Sequence, residues 1–412
     1  MQNLFKKTDI FTKNTIVVFI GTFFVNFFNL AYQLFIAHKF SPADFAAFNS
    51  LLSLFTIFAF PLSTLQMGIT KYAAEFSAHN QIQKIKFLLS DLFKKTSILA
   101  LASLLIFLVA ANFIINALKI PSLSSGYILA LLVSSTWILA VFSGGIQGLE
   151  QFFWFSGVSI LGSILKLSFA FILIFLGYGI SGALGALLSA NLISIAIYYF
   201  VLKDFISFKA AKEHINYREI LIYLLPVAAS FLCFIALVNF DMVLVKYYFP
   251  VQSSGFYSLA QMVGKIFLFL PGAISIAMFP RTSSLRAKEM DTSSILKRSL
   301  LYVSSLCIFA CIIYNLFPAF VLKVLTGKIY PEAVLLGRLF GISMSFFSLA
   351  LLLITYFLSV KDLRFLKYLI VSCLCQNLAI LLLHNSLVQV QFILCINSAL
   401  IFFTLLFFAY KK

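Results

Sequence analysis

The 412-residue chain is 62% hydrophobic and only 10% charged. Soluble domains are roughly a quarter charged, so this composition excludes a water-soluble globular protein. The formal net charge of +17 does not indicate nucleic acid binding, because the basic residues cluster in short polar segments between long apolar ones.

Twelve apolar segments are long enough to cross a membrane as helices. A hydrocarbon core about 30 Å thick needs roughly 20 apolar residues per helical span, whereas a membrane barrel would show alternating segments of about 10 residues. The sequence therefore predicts an all-α integral membrane protein with twelve transmembrane helices. The predicted spans are 14–36, 43–70, 97–117, 125–148, 156–177, 181–202, 219–240, 255–279, 299–320, 332–358, 365–384 and 388–410.

The polar stretch 203–218 separates six predicted spans from six. Because six is even, both halves enter the membrane from the same side and are expected to be parallel repeats of one topology. This predicts a six-helix N-terminal lobe over residues 1–205 and a six-helix C-terminal lobe over residues 206–412. Within 81–95, apolar residues at helical spacing alternate with lysines, which predicts an interfacial helix between spans two and three.

The basic residues are distributed unequally between the two sides of the predicted membrane topology. With the N-terminus in the cytoplasm, 22 of the 30 Lys and Arg residues fall on the inner side, 5 on the outer side and 3 within spans. Cytoplasmic loops carry the basic excess in membrane proteins, so both termini are predicted to be cytoplasmic. The first span lacks a following cleavage pattern of small residues, which predicts a retained anchor.

An internal repeat links the two halves. Residues 32–71 recur roughly 209 places later at 241–281, and each copy contains a helix end, a short outer loop and a second long helix. Two similar membrane halves are the usual plan of a transporter, with the pathway between them. The aligned pairs include Tyr32 with Asp241, Asn49 with Ser258, and Thr56 with Lys265.

Three basic side chains lie within predicted spans, namely Lys166, Lys265 and Arg338. An ionisable side chain near mid-bilayer costs ~2.5–3.5 kcal/mol on insertion scales, so each needs a physical reason. The functional interpretation is a cationic cavity that binds an anionic substrate through phosphate or carboxylate oxygens. The alternatives are snorkelling to the interface, which is easiest for Arg338, or an internal ion pair.

Uncharged polar residues and one acid also fall inside spans. Asn26, Asn29 and Gln33 share one face of span one, and Gln261 lies in span eight. Hydrogen bonds between helices or contact with a hydroxylated cargo in a polar lumen would each explain them. Asp241, near the outer end of span seven, is predicted to couple transport to protons or sodium, to pair with a cation of the lumen, or to be an interfacial residue held by Lys246 or loop amides.

The sequence contains no pattern that indicates a cofactor. It has no Gly-rich phosphate loop followed by Lys and Ser/Thr, so ATP hydrolysis by the chain itself is not expected. The six cysteines lie in apolar spans and are interpreted as small apolar residues, not as metal ligands. Pro61, Pro226 and Pro271 interrupt predicted spans as kinks or hinges.

Five segments follow one another in a characteristic order and spacing. They are Phe40-Ser-Pro-Ala-Asp-Phe-Ala-Ala-Phe-Asn49, Ile146-Gln-Gly-Leu-Glu-Gln-Phe152, Gly177-Tyr-Gly-Ile-Ser-Gly182, and Gly255-Phe-Tyr257 with Phe279-Pro280-Arg281. In these segments the chain resembles polysaccharide flippases of the multidrug/oligosaccharidyl-lipid/polysaccharide (MOP) exporter superfamily. One departure is Ala46, where that family usually has glycine, although Gly255 keeps the glycine in the second half.

The resemblance implies a MATE-like fold with two six-helix lobes around a central cavity that works by alternating access. The implied cargo is an oligosaccharide repeat unit on undecaprenyl pyrophosphate, moved across the bacterial inner membrane for O-antigen, lipopolysaccharide or another surface polysaccharide. The expected partners are this lipid-linked substrate and membrane lipids, with no nucleic acid. An association with polysaccharide polymerase machinery is left open, and no enzymatic activity is expected.

Three alternatives remain at this point. A MATE-like drug/cation antiporter of the same superfamily would prefer buried carboxylates in its cavity, and among the spans only Asp241 offers one. A lipid II flippase would be expected to carry additional helices. A membrane-bound glycosyltransferase or polymerase would need a catalytic acidic motif, whereas the 13 acidic residues are scattered, mostly on the predicted inner side.

Overall fold

The computed structural model describes residues 2–206, 213, 217–269 and 272–411, and within these ranges the chain forms fourteen α-helices and one short 3₁₀ turn. The predicted all-α membrane fold is confirmed. The helices are α1 (Gln2–Lys39), α2 (Pro42–Ala78), α3 (Ile82–Ala117), α4 (Leu123–Gly148), α5 (Phe152–Phe175), α6 (Gly179–Leu202), α7 (Tyr217–Tyr248), α8 (Val251–Phe269), α9 (Gly272–Ala287), α10 (Ser293–Leu316), α11 (Pro318–Thr326), α12 (Pro331–Ser359), α13 (Phe365–Leu382) and α14 (Leu387–Tyr410).

Eleven helices in the described residues are long and apolar enough to span a membrane, so the chain is a multi-pass membrane protein. The predicted span 255–279 does not appear among the eleven; its described residues belong to α8 and α9, and residues 270 and 271 lie outside the described part of the chain. Pro271, which was predicted to interrupt this span, lies outside the described residues. The predicted span 299–320 ends earlier than expected, since α10 stops at Leu316 and Pro318 begins the short helix α11, a position that proline favours.

The chain divides into two compact units that do not follow the sequence order strictly. The first unit comprises Met1–Ile36 and Phe58–Leu224, and the second comprises Ala37–Ile57 and Leu225–Lys412. Helix α2 therefore contributes its first part to the second unit and its remainder to the first. The expected lobe boundary between residues 205 and 206 stays a prediction.

In the first unit, the apolar residues of the stretch 81–95 do not form a separate interfacial helix. This stretch is the beginning of α3, which continues without interruption for 36 residues, or ~54 Å at 1.5 Å per residue. Ile85 and Leu89 are buried in a hydrophobic cluster with Val141 and Phe142 of α4 and with residues of α2, α5 and α6. The prediction of an interfacial helix was wrong because amphipathic spacing is the same whether the apolar face covers lipid or neighbouring helices.

Two glycines allow α2 and α4 to cross closely in the first unit. A Cβ atom at Gly148 would lie 2.6 Å from the Cβ of Ala73 and 2.8 Å from the backbone oxygen of Thr70, and one at Gly144 would lie 2.9 Å from the backbone oxygen of Gln66. The Thr70 hydroxyl donates a hydrogen bond to the Gly144 carbonyl over 3.2 Å. Small residues four positions apart are the usual means by which membrane helices approach, because lipid gives no hydrophobic drive for association.

In the second unit, α12 is the central helix and packs against α8, α9, α10 and α14. Its phenylalanines at 340, 347 and 357 are almost completely buried. Helix α8 also contacts the first part of α2, where the Asn49 Nδ2 group donates a hydrogen bond of 2.7 Å to the Ser258 hydroxyl. Both side chains are buried. Asn49 and Ser258 are aligned in the internal repeat, and the structure places these two side chains in direct contact.

The same contact explains why glycine is present at position 255. A Cβ atom there would lie 2.7 Å from the Cβ of Pro42 and 2.8 Å from its carbonyl carbon. The aligned residue of the first copy, Ala46, is completely buried. The close approach of α2 and α8 therefore needs a glycine on α8, while α2 accommodates alanine.

We expect Gly148→Ala to destabilise the protein, because the added methyl group overlaps a backbone oxygen and must push α2 away from α4. Overpacking of this kind costs about 1–3 kcal/mol, which would lower the midpoint of thermal unfolding in detergent. The matched control is Gly157→Ala on α5, where a Cβ atom meets nothing within 4 Å and alanine is the better helix former. Equal midpoints for the two variants would contradict the close crossing.

Candidate functional site

The candidate site in the first unit is built around Lys166 of α5. Its ammonium group donates a hydrogen bond to the Asn29 Oδ1 of α1 and lies 4.6 Å from the centre of the Tyr32 ring. Tyr32 is 3% exposed, and its hydroxyl donates a hydrogen bond of 2.9 Å to the Ala183 carbonyl of α6. The lysine is thus positioned by an amide and by the face of a fixed aromatic ring, which attracts a cation.

Lys166 lines a pocket of about 320 Å³, and all of the lining residues belong to the first unit. This volume is at the small end of the roughly 300–1,000 Å³ that is usual for ligand pockets. Among the described residues that line it, none is acidic, so Lys166 is its sole charged group there. The polar residues of the lining are Asn29, Gln66, Ser143, Ser159, Ser163, Lys166, Asn191, Ser194 and Tyr198.

The hydroxyl groups of the pocket already donate hydrogen bonds to helix backbone. Ser159 donates to the Phe155 carbonyl and Ser163 to the Ile160 carbonyl, each over 2.7 Å. Ser143 and Ser194 donate to the carbonyls four residues before them, and the Tyr198 hydroxyl donates to the Phe155 carbonyl over 3.2 Å. This is the usual behaviour of serine inside a helix. The oxygens of these groups therefore present lone pairs, but not protons, to the pocket.

Gln66 connects the pocket to the crossing of α2 and α4. Its Nε2 group is 3.4 Å from the Gln147 Oε1, which also accepts a hydrogen bond of 3.2 Å from Thr70. Gln147 belongs to the segment Ile146–Phe152 in which the sequence resembles polysaccharide flippases. One function of this segment is thus to hold α2 against α4 at the edge of the pocket.

The second unit contains a separate buried cluster around Asp241 of α7. The Tyr257 hydroxyl donates a hydrogen bond of 2.7 Å to the Asp241 Oδ2, and the Gln261 Nε2 donates to both carboxylate oxygens over 3.1 and 3.2 Å. All three side chains are buried. Lys265 follows Gln261 by one turn of α8. Asp241 is therefore an interior residue of a polar network, and its predicted roles in ion pairing and coupling both remain predictions.

The structure places the other predicted residues in different surroundings. Gln33 of α1 is partly buried, and Asn26 is exposed on the same helix. Arg338 of α12 is exposed and belongs to the second unit. The cationic cavity shared by Lys166, Lys265 and Arg338 stays a prediction.

Sequence reasoning did not single out the residues that complete each cluster. Tyr257, the partner of Asp241, appeared only in the segment Gly255-Phe-Tyr257, where the sequence resembles polysaccharide flippases. Ser159 and Ser163 were missed, although they precede Lys166 by seven and three residues and therefore share its face of the helix. This spacing is the signal that could have identified the polar side of α5.

The sequence and the fold both have known relatives. A family model described as "Polysaccharide biosynthesis protein" matches residues 11–286. The chain belongs to this family. The predicted membership is confirmed, and it covers all of the helices that line the Lys166 pocket. Comparison of the sequence with curated proteins gave no significant match.

Solved structures show that this family member has the fold of the MOP superfamily. The lipid II flippase MurJ in an inward closed conformation superposes with a TM-score of 0.73 and 16% identity, covering 96% of this chain and 88% of that one. An inward-facing multidrug resistance MATE family transporter superposes with a TM-score of 0.71 and 14% identity, covering 93% of this chain and 94% of that one. A MOP superfamily transporter from Pyrococcus furiosus superposes with a TM-score of 0.66 and 15% identity, covering 97% of this chain and 94% of that one. At these identities the similarity concerns the fold alone.

The pairing of Asp241 with Lys265 can be tested by a double-mutant cycle. Asp241→Asn removes the negative charge, and Lys265→Met removes the positive one, so either single change leaves the other charge unbalanced in a buried network. We expect the two effects on the free energy of unfolding in detergent to be non-additive by about 0.5–3 kcal/mol. Asp241→Asn combined with Lys323→Met of the exposed part of α11 is the control and should be additive. Additive effects in both cycles would contradict the pairing.

Proposed function

We propose that this protein moves undecaprenyl-pyrophosphate-linked oligosaccharide repeat units across the bacterial inner membrane by alternating access. The transported units would serve the synthesis of a surface polysaccharide such as O-antigen. The observation that carries the proposal is the Lys166 pocket, which combines a cation with a lining of hydroxyls and amides, in a chain of the polysaccharide biosynthesis family.

The surroundings of Lys166 favour an anionic, hydroxylated cargo. A lysine inside a membrane span is costly, and the contacts described for Lys166 are with a neutral amide and an aromatic ring. An anion that enters the pocket would offset this cost through a charge-assisted hydrogen bond, which is roughly twice as strong as a neutral one. The serines, Asn191 and Tyr198 then supply polar contacts of the kind that sugar hydroxyls need.

A drug/cation antiporter of the same superfamily fits the pocket less well. A cationic drug would meet the positive charge of Lys166, and the described lining contains no carboxylate to attract it. Asp241 is buried behind Tyr257 and Gln261, which already donate hydrogen bonds to it. The fold itself does not separate the two functions, since both a lipid flippase and multidrug transporters have it.

The remaining parts of the proposal concern location and partners. The excess of basic residues on one side of the predicted topology supports cytoplasmic N- and C-termini. The lipid-linked cargo would reach the protein from the surrounding lipid, and a polysaccharide polymerase would use the repeat units after export. We propose a transporter without enzymatic activity of its own.

The function can be tested by deleting the gene in its host. We expect loss of a surface polysaccharide and accumulation of lipid-linked repeat units, measured by gel analysis of surface glycan and by mass spectrometry of extracted lipids. Wild-type protein and the Lys323→Met control should restore export at equal membrane abundance, whereas Lys166→Met should reduce it by on the order of tenfold or more. Normal surface glycan with hypersensitivity to cationic drugs would exclude the proposal.

A further inference from the structure

Resting on the proposed function, we infer that the Lys166 pocket holds one acidic sugar residue of the cargo, with its carboxylate against Lys166. The pyrophosphate of the lipid carrier binds elsewhere. The basis is the charge and the hydrogen-bonding groups of the pocket, which suit a sugar carboxylate better than a pyrophosphate.

Charge is the first point that distinguishes them. Lys166 is the sole charged side chain in the described lining. One lysine balances the single charge of a sugar carboxylate, whereas a pyrophosphate diester carries a second negative charge that would remain unbalanced in a low-dielectric site. Asn29 accepts from Lys166 through Oδ1, so its Nδ2 group lies beside the lysine and can donate to the second carboxylate oxygen.

Hydrogen-bond direction is the second point. Ser159, Ser163 and Tyr198 donate their protons to backbone carbonyls, and Ser143 and Ser194 do the same. The five hydroxyl oxygens thus line the pocket as hydrogen-bond acceptors and match a ligand that donates hydrogen bonds. A sugar ring carries several hydroxyl donors, whereas a pyrophosphate diester has acceptors alone. An acidic sugar therefore matches both ends of the pocket, with its hydroxyls at the serines and its carboxylate at the lysine.

Size and shape agree with a single sugar residue. A volume of about 320 Å³ suits a small ligand and not a whole lipid-linked oligosaccharide. The rings of Phe155 and Tyr198 contribute to the wall, and such rings can cover the apolar C–H face of a sugar. The rest of the repeat unit and the lipid would lie outside this pocket.

The preference can be measured on the purified full-length protein in detergent micelles. Binding of methyl glucuronide, methyl glucoside and inorganic pyrophosphate would be titrated by saturation-transfer difference NMR. We expect the glucuronide to bind about 10- to 100-fold more tightly than the glucoside, because its carboxylate adds one charge-assisted hydrogen bond. We also expect it to bind more tightly than pyrophosphate. Lys166→Met should abolish the difference between the two sugars, whereas Lys323→Met should retain it.

A second pair of variants tests the acceptor groups. Ser159→Ala with Ser163→Ala removes two acceptors and should weaken the glucuronide and the glucoside by a similar factor. Ser168→Ala, at an exposed position of the same helix, is the matched control and should weaken neither. Protection of the Lys166 amine from reductive methylation by the glucuronide, read by mass spectrometry of the wild-type protein, gives a measurement that does not depend on the folding of any variant.

Several outcomes would overturn the inference. These are equal binding of the two sugars by the wild-type protein, tighter binding of pyrophosphate that depends on Lys166, or no protection of Lys166 by the glucuronide. None of them would affect the flippase function, which rests on accumulation of lipid-linked units in the deletion strain. Conversely, normal surface glycan in that strain would exclude the flippase while leaving the measured sugar preference intact.

Discussion

The architecture depends on how helices are held together where lipid provides no hydrophobic drive. Under this constraint, close approach of backbones and hydrogen bonds between helices provide the association. Helix α2 shows both devices. In the second unit its first part meets α8 through the Asn49–Ser258 hydrogen bond and the close approach to Gly255. In the first unit its remainder crosses α4 at Gly144 and Gly148. One continuous helix thus belongs to the packing of two compact units, and small residues at three positions make this arrangement sterically allowed.

Lys166 and Lys265 differ in what surrounds them, and this difference guides the functional proposal. Tyr32 and Asp241 are aligned in the repeat; Lys166 lies over the tyrosine ring, and Lys265 is one turn after Gln261, which donates hydrogen bonds to the Asp241 carboxylate. The first lysine has neutral contacts, so its charge can act on an anionic ligand. The second belongs to the same unit as the buried carboxylate of Asp241, with which we expect it to pair. The functional proposal therefore rests on the pocket of the first unit.

A transport site of this kind must bind its cargo and release it. One charge-assisted hydrogen bond, supported by serine acceptors that are already anchored to their helices, gives selectivity with moderate strength. Because each serine proton is donated to the backbone, the lining does not need to reorganise when a hydroxylated ligand enters. The proposed acidic sugar would therefore be recognised by the direction of its hydrogen bonds as well as by its charge.

The sequence by itself determines the membrane class, the family and most of the spans. Hydropathy is a property of neighbouring residues, and each membrane helix forms its backbone hydrogen bonds internally, so a span can be recognised without knowing its neighbours. Tertiary structure alone decided which polar groups meet. Lys166 and Asn29 are 137 residues apart in sequence, and Tyr257 reaches Asp241 from a different helix. It also decided that the apolar face of 81–95 covers protein and not lipid. Such outcomes depend on the rotation of each helix about its own axis, which is determined by packing against its neighbours and is not encoded in the composition of any single span.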